Sequence, residues 1–261
     1  MRFIGEMMNK GIEMAFNFIP VQTKDWSVQV GVNGTVQNTV FNKIRGGESE
    51  EDFIEVTGLD FGTGTKLSRH QVGYAPYSYY VYQQLYDIEG KAIQNAFVDR
   101  NDDGVITEAD KYFAGDPNPD FTASLNISMR WKGFDASIFL NGVYGNDIIY
   151  NGYTYDPRVK IKRWTIDNPT DKYPSLNSTR SYLFSDYFIQ DGSYLRIQNL
   201  SLGYTFNFKQ ILNSVRVFAD VDNLYTFTSF DGYNPEVGVD GIYWGGYPKL
   251  IRWSLGVDIN F

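Results

Sequence analysis

Apolar and polar residues alternate with a period of two along much of this chain, which is the pattern of strands with one apolar and one polar face. Between 11 and 19 the apolar positions are Ile12, Met14, Phe16 and Phe18, and between 26 and 36 they are Trp26, Val28, Val30, Val32 and Val36. Phe121, Ala123, Leu125, Ile127, Met129 and Trp131 form a third stripe. After only Lys132 and Gly133 a fourth begins with Phe134, Ala136, Ile138 and Leu140 and ends at Tyr144. Leu200, Leu202, Tyr204, Phe206 and Phe208 make a fifth, and the preceding Tyr194, Leu195 and Ile197 are out of phase with it, which predicts a bulge. Val215, Val217, Ala219 and Val221 give a sixth stripe, and Ile251, Trp253, Leu255, Val257, Ile259 and Phe261 a seventh.

Soluble strands cluster near ~5 to 6 residues, whereas a tilted strand needs ~9 to 11 to cross a bilayer, and these stripes have the longer length. Several end in rings (Trp26, Phe121, Trp131, Phe134, Tyr144, Phe261), as expected at the two membrane interfaces. The opposite faces carry Asn, Ser, Gln, Arg and Asp, which suits a wet lumen. Connections 20–25, 132–133 and 209–213 are short, while 37–119, 145–192 and 224–248 are long, the two-sided pattern of an outer-membrane barrel. If Phe261 ends on the short-turn side, residues 37–119 must cross zero or two more times. Tyr77, Tyr79, Tyr80, Tyr82, Leu85 and Tyr86, paired with a segment near 61–73, are the candidates for two. The expected fold is therefore all-β: part of an antiparallel transmembrane β-barrel, with about 7 to 9 long strands and long extracellular loops.

Composition narrows the chemistry. With 23 Lys+Arg against 31 Asp+Glu the net charge is −8, which disfavours nucleic acid as a partner. There is no cysteine, so disulfides, thiolate metal sites and thiol nucleophiles are excluded, and His70 is the one histidine around which any triad would have to be built. No recognisable nucleophile motif is present, and the chain is not expected to be an enzyme. The opening MRFIGEMMNKGIEMAFNF is broken by Glu6, Lys10 and Glu13, so no export signal is expected within it and a longer precursor is.

One segment has metal-ligand spacing. Asp99, Asn101, Asp103, Gly104, Ile106 and Asp110 match positions 1, 3, 5, 6, 8 and 12 of an EF-hand loop, with Asp for Glu at the last, and the Val105 carbonyl and Thr107 hydroxyl complete the set. The sequence reading is a Ca²⁺-stapled external loop; the alternative is an Asx-rich turn satisfied by its own backbone. In the long connections, Tyr150, Tyr153, Tyr155, Trp164, Tyr233, Tyr243, Trp244 and Tyr247 lie beside Asn146, Asp147, Asp156, Asp231 and Asn234. Rings next to carboxylate and amide oxygens can stack on and hydrogen-bond a sugar, or simply pack the loops together.

Taken in order, FVDRNDDGVITEADK, GDPNPDF, RWTIDNPTDKYP, DGSYLRIQNLSLGYTF, VRVFADVDNLYTFTSFDGYNPE and the terminal WSLGVDINF resemble the C-terminal end of SusC/RagA-type TonB-dependent outer-membrane transporters, with the early NKGIEMAF similar to a strand further upstream. In that family a 22-stranded barrel encloses an N-terminal plug. The resemblance implies that residues 1–261 are the C-terminal part of such a barrel, without plug, TonB box or signal peptide, in the outer membrane. It implies import of glycans or peptides, a SusD-like lipoprotein lid, contact with TonB through the rest of the receptor, and Phe261 as part of the signal read by the barrel-assembly machinery. A soluble, calcium-stabilised β-domain that binds carbohydrate is the competing reading of the same loops.

Overall fold

The computed structural model describes residues 5–45, 47–49, 51–56, 66–151, 165–168, 184–208 and 213–261. It contains β1 (Gly5–Gln22), β2 (Trp26–Ile44), β3 (Phe53–Glu55), β4 (Ser68–Gln71), β5 (Ser78–Tyr82), β6 (Gln84–Tyr86), β7 (Ala92–Phe97) and β8 (Lys111–Phe113). These are followed by β9 (Phe121–Trp131), β10 (Phe134–Tyr144), β11 (Asp147–Tyr150), β12 (Ile189–Asp191), β13 (Tyr194–Asn207), β14 (Ser214–Thr228), β15 (Ile242–Tyr243) and β16 (Arg252–Asn260).

The long strands form one seven-stranded antiparallel sheet in the order β1-β2-β9-β10-β13-β14-β16, with β1 and β16 as its edges. Its alternation follows the sequence stripes: Val28↔Met129, Val30↔Ile127 and Val32↔Leu125 pair on one face, while Gln29↔Ser128 and Asn33↔Ser124 pair on the other. The apolar face lies open, with Phe16 60% and Leu255 87% exposed. Rings flank this band at both ends. At the short-turn end Trp26 stacks on Trp131 at 5.3 Å, Trp131 on Phe134 at 5.8 Å, and Phe134 meets Tyr204 edge-on at 4.5 Å. At the other end stand Phe121, Tyr144, Tyr225 and Phe227. The ten residue-to-residue steps from Phe121 to Trp131, at ~3.3 Å each along a strand tilted by ~40°, put the belts roughly 25 Å apart, the height of an outer-membrane apolar band.

The phase slip in the fifth stripe is a bulge: the β13 register shifts between Ile197 and Asn199 against both neighbours. It returns Leu195 to the apolar face and turns Arg196 to the polar one. At the two-residue turn, Lys132 takes φ 53°, and Gly133 is demanded by the approach of β13, since a Cβ there would sit 2.8 Å from the Thr205 carbonyl oxygen.

The seven long strands fall within the expected 7 to 9; β2 pairs directly with β9, and no described residue between them adds a strand to this sheet. The Tyr77–Tyr86 stretch instead belongs to a cap built from the long connections. In β5 Tyr79, Val81 and Tyr82 are buried, and so is Ser78, so both faces of that strand are covered and neither can face lipid or a lumen. The cap holds the main buried core of the described residues: Leu67, Tyr79, Val81, Ile148, Phe188 and Phe230 among others. The parallel pair β11 and β15, with β12 on the other side of β11, ties the second and third long connections together. In that core the Tyr79 hydroxyl lies 2.9 Å from the Asp147 carbonyl oxygen and 3.1 Å from that of Gly241, and burial pushes the phenol well above its ordinary pKa.

Candidate functional site

Three arrangements carry the chemistry. The first is the 99–110 loop. Asp103 donates its N–H to Asp99 Oδ1 (3.3 Å) and Gly104 to Asp99 Oδ2 (2.7 Å), with Gly104 at φ 81° completing the sharp turn. Val105 N–H is held by Asp103 Oδ1 and Asn101 Nδ2 by Asp103 Oδ2. The residue Asp110 is fully buried, and its two oxygens take the N–H groups of Arg100 (2.8 Å) and Thr107 (2.7 Å), which holds its carboxyl below the usual range. Thr107 caps the 3₁₀ turn 108–110 by accepting from Ala109 N–H. The ligand positions named from sequence therefore fall in one loop, with their carboxylate and amide oxygens turned to backbone N–H groups and to one another. Among the described residues no three His, Asp or Glu side chains are grouped to hold a metal ion.

The second is the loop from Ser229 to Ile251 with its rings. Tyr243 is 4% exposed, stacked on Tyr150 at 5.5 Å and edge-on to Phe230 at 5.2 Å, so it and the equally buried Tyr150 serve packing. Trp244 and Tyr233 are open to solvent, and together with Tyr243, Tyr247, Asn234 and Glu236 they line a cavity of about 190 Å³. Tyr153, Tyr155 and Trp164 lie outside the described residues. The loop is fastened to the barrel wall by a residue that the sequence reading passed over. Arg196 is 1% exposed; its Nη1 lies 2.8 Å from Glu236 Oε1, Nη2 donates to Asn234 Oδ1 and Nε to Thr226 Oγ1. The Tyr194 hydroxyl and Lys249 also reach Glu236. Although burial opposes it, this cationic company holds Glu236 down at about 2, so it is an anion at any physiological pH.

The third is the polar face of the sheet near the short turns. A recess of about 570 Å³ is lined there by Arg130, Lys132, Asp135, Ser137, Ser201 and Arg216 among others. Asp147, where β10 passes into the cap, is raised to about 6 by burial and by the facing carboxylates of Asp116, Asp191 and Asp120. His70 sits between Phe41 (4.9 Å) and Tyr77 (4.7 Å), and burial lowers its pKa.

A sheet with a lipid-like outer face, two ring belts, a hydrophilic inner face and a folded loop cap defines the class: the wall of a large β-barrel of outer-membrane type. Comparison with known proteins gives the particular family. The TonB-dependent receptor SusC of Bacteroides thetaiotaomicron is 34% identical over 99% of this chain and 27% of its own length, and receptor P3 of Formosa agariphila is 27% identical over 99% and 29%. No family model matches the chain. Among solved structures, the RagAB peptide transporter superposes with TM-score 0.75 at 22% identity, covering 99% of this chain and 30% of that one. The chain belongs with the SusC/RagA-type TonB-dependent receptors and corresponds to their C-terminal portion. It spans just over a quarter of the length of the curated relatives it matches. Those relatives are receptors and transporters, not enzymes.

Proposed function

We propose that this chain supplies barrel wall and external loops to an outer-membrane importer, energised by TonB through parts of the receptor outside residues 1–261. The observation that supports it most is the exposed apolar band between two ring belts, on a chain 34% identical to SusC over nearly its whole length. A soluble carbohydrate-binding domain has no use for such a band, since contiguous apolar surface of that extent is a cost in water. The cargo class is a glycan or a peptide, met by Trp244, Tyr233 and the cavity beside them. A SusD-like lipoprotein is the partner proposed for the cap, and the outward-facing Phe261, 78% exposed beyond β16, is the proposed recognition mark for barrel assembly. Weak Ca²⁺ binding in the 99–110 loop belongs to the same proposal, supported by the oxygen spacing; an ion would have to displace the turn bonds now made by Asn101 and Asp103.

Deleting the receptor gene and measuring growth on defined oligosaccharides and on peptides as the only carbon source tests this reading. Loss of growth on one class, restored by the gene, is expected. Unchanged growth and unchanged uptake of both classes would contradict it.

A further inference from the structure

The cavity beside Tyr233 has one fixed side and one loose side. The fixed side is Ile242–Tyr243, held in the β11–β15 pair and in the ring cluster of Tyr150 and Phe230, with Tyr233 N–H donating to the Tyr243 hydroxyl at 3.2 Å. The looser side begins at the next residue, where the Trp244 indole Nε1 makes only a long 3.5 Å bond to Asp240 Oδ2. Trp244 is 51% exposed and Tyr247 97%, and between them Gly245 (φ 85°) and Gly246 have nothing within 4 Å of where a side chain would stand. The chain is caught again at Lys249, whose ammonium meets Glu236 on the cavity wall. Glu236 is itself gripped by the buried Arg196 of β13.

We propose that Trp244–Lys249 is a movable strap over this cavity, moored at its far end to the barrel wall through Lys249, Glu236 and Arg196. The two glycines supply the hinge at the near end, because only there does the backbone leave the core without side chains to repack. The mooring is a half-exposed ion pair, with Lys249 38% and Glu236 32% exposed, so it holds the strap by an interaction small enough to be broken in normal fluctuation. Glu236 does not follow the strap, since Arg196 on the wall grips it and Asn234, two residues back in its own loop, also holds it. Opening exposes the cavity, and closing lays Trp244 and Tyr247 over whatever ring occupies it. On the import reading, which this inference deepens, the occupant is part of the cargo.

The strap can be tested without any cargo, so its failure is separable from failure of the import reading. In detergent-solubilised full receptor, chymotrypsin should cut after Trp244 at a rate set by strap opening. Tyr86, 49% exposed on the β6–β7 hairpin, is the internal reference. Lys249→Met is expected to raise the Trp244 cut by about fivefold or more and Lys249→Arg to leave it within about twofold of wild type, with the Tyr86 cut unchanged in both. An unchanged Trp244 rate in Lys249→Met would overturn the strap, and so would a rise that Tyr86 shares, since that reports general loosening.

Discussion

Arg216 on β14 reaches across β13 to Asp135 on β10, donating from Nη2 to Oδ2 at 2.7 Å and from Nε to Oδ1 at 3.0 Å. The bridge passes over Gly203, where a Cβ would lie 2.7 Å from Asp135 Oδ2 and 2.8 Å from Arg216 Nη2. Strands two apart in a sheet rarely exchange a bidentate pair, and here the missing side chain between them allows it. Gly203→Val should split the pair and cost about 1 to 3 kcal/mol, the range for losing a hydrogen bond to a charged group. Heat-modifiability of the folded barrel on gels measures it; an unshifted unfolding temperature would show that the bridge contributes nothing.

Asp147 gives the cap a pH dependence of defined sign. Its folded pKa is raised from the ordinary 3.8 to about 6, so the protonated form is favoured in the cap. That stability is fully present below pH 3.8 and is lost as pH rises through about 6. Hydrogen exchange in β11 and β15 should accordingly quicken between about pH 4 and pH 6.5 beyond its intrinsic rise, the window between the ordinary and the shifted value. Asp147→Asn should abolish the excess, and an excess that persists in this variant would assign it elsewhere.

Tyr79 anchors the same junction by one hydroxyl set against two carbonyl oxygens, of Asp147 and Gly241. Tyr79→Phe keeps the ring and takes the hydroxyl donor from the Asp147 carbonyl, while the Gly241 carbonyl keeps the Ile149 N–H at 2.9 Å; the loss should cost about 1 to 3 kcal/mol. Faster protection loss confined to residues 147–150 and 241–243 is the expected exchange signature.

For the 99–110 loop, terbium luminescence separates an ion site from a self-satisfied turn. The calcium proposal expects sensitised emission that falls in Asp103→Ala and in Asp99→Ala. Equal emission from all three proteins would leave the Asx turns as the whole account of the spacing.

What the sequence shows of this molecule follows from where water is. Within the apolar band each strand has one lipid-like and one wet face, so β9 and β10 are readable residue by residue. Beyond the band that contrast ends: β2 runs on through Asn38, Thr39 and Asn42 with no alternation, and its outer half reads as loop. The cap core is drawn from Leu67, Val81, Ile148, Phe184, Phe230 and Ile242, which are far apart in sequence and lie in short strands or in the segments between them, with no period to detect. Tyr77–Tyr86 looked like a membrane strand because it is aromatic-rich, yet its burial on both faces is a signature of a core. Arg196 was hidden as one more polar residue on a wet face. Its importance depends on Glu236, forty positions on, and the nearest sequence signal is an arginine just before a phase slip at the rim of the wall.

The central claim is that the sheet stands in a membrane with its odd-numbered β9 residues toward lipid. Residues 1–261 contain no cysteine, so single cysteines can be placed along Phe121–Trp131 without removing any from this part of the receptor. In outer-membrane vesicles, cysteines at Ser124, Asn126 and Ser128 should react with a membrane-impermeant maleimide once the lumen is opened to solvent. Those at Leu125, Ile127 and Met129 should stay protected until detergent is added. Labelling of both sets alike in intact vesicles would contradict the account.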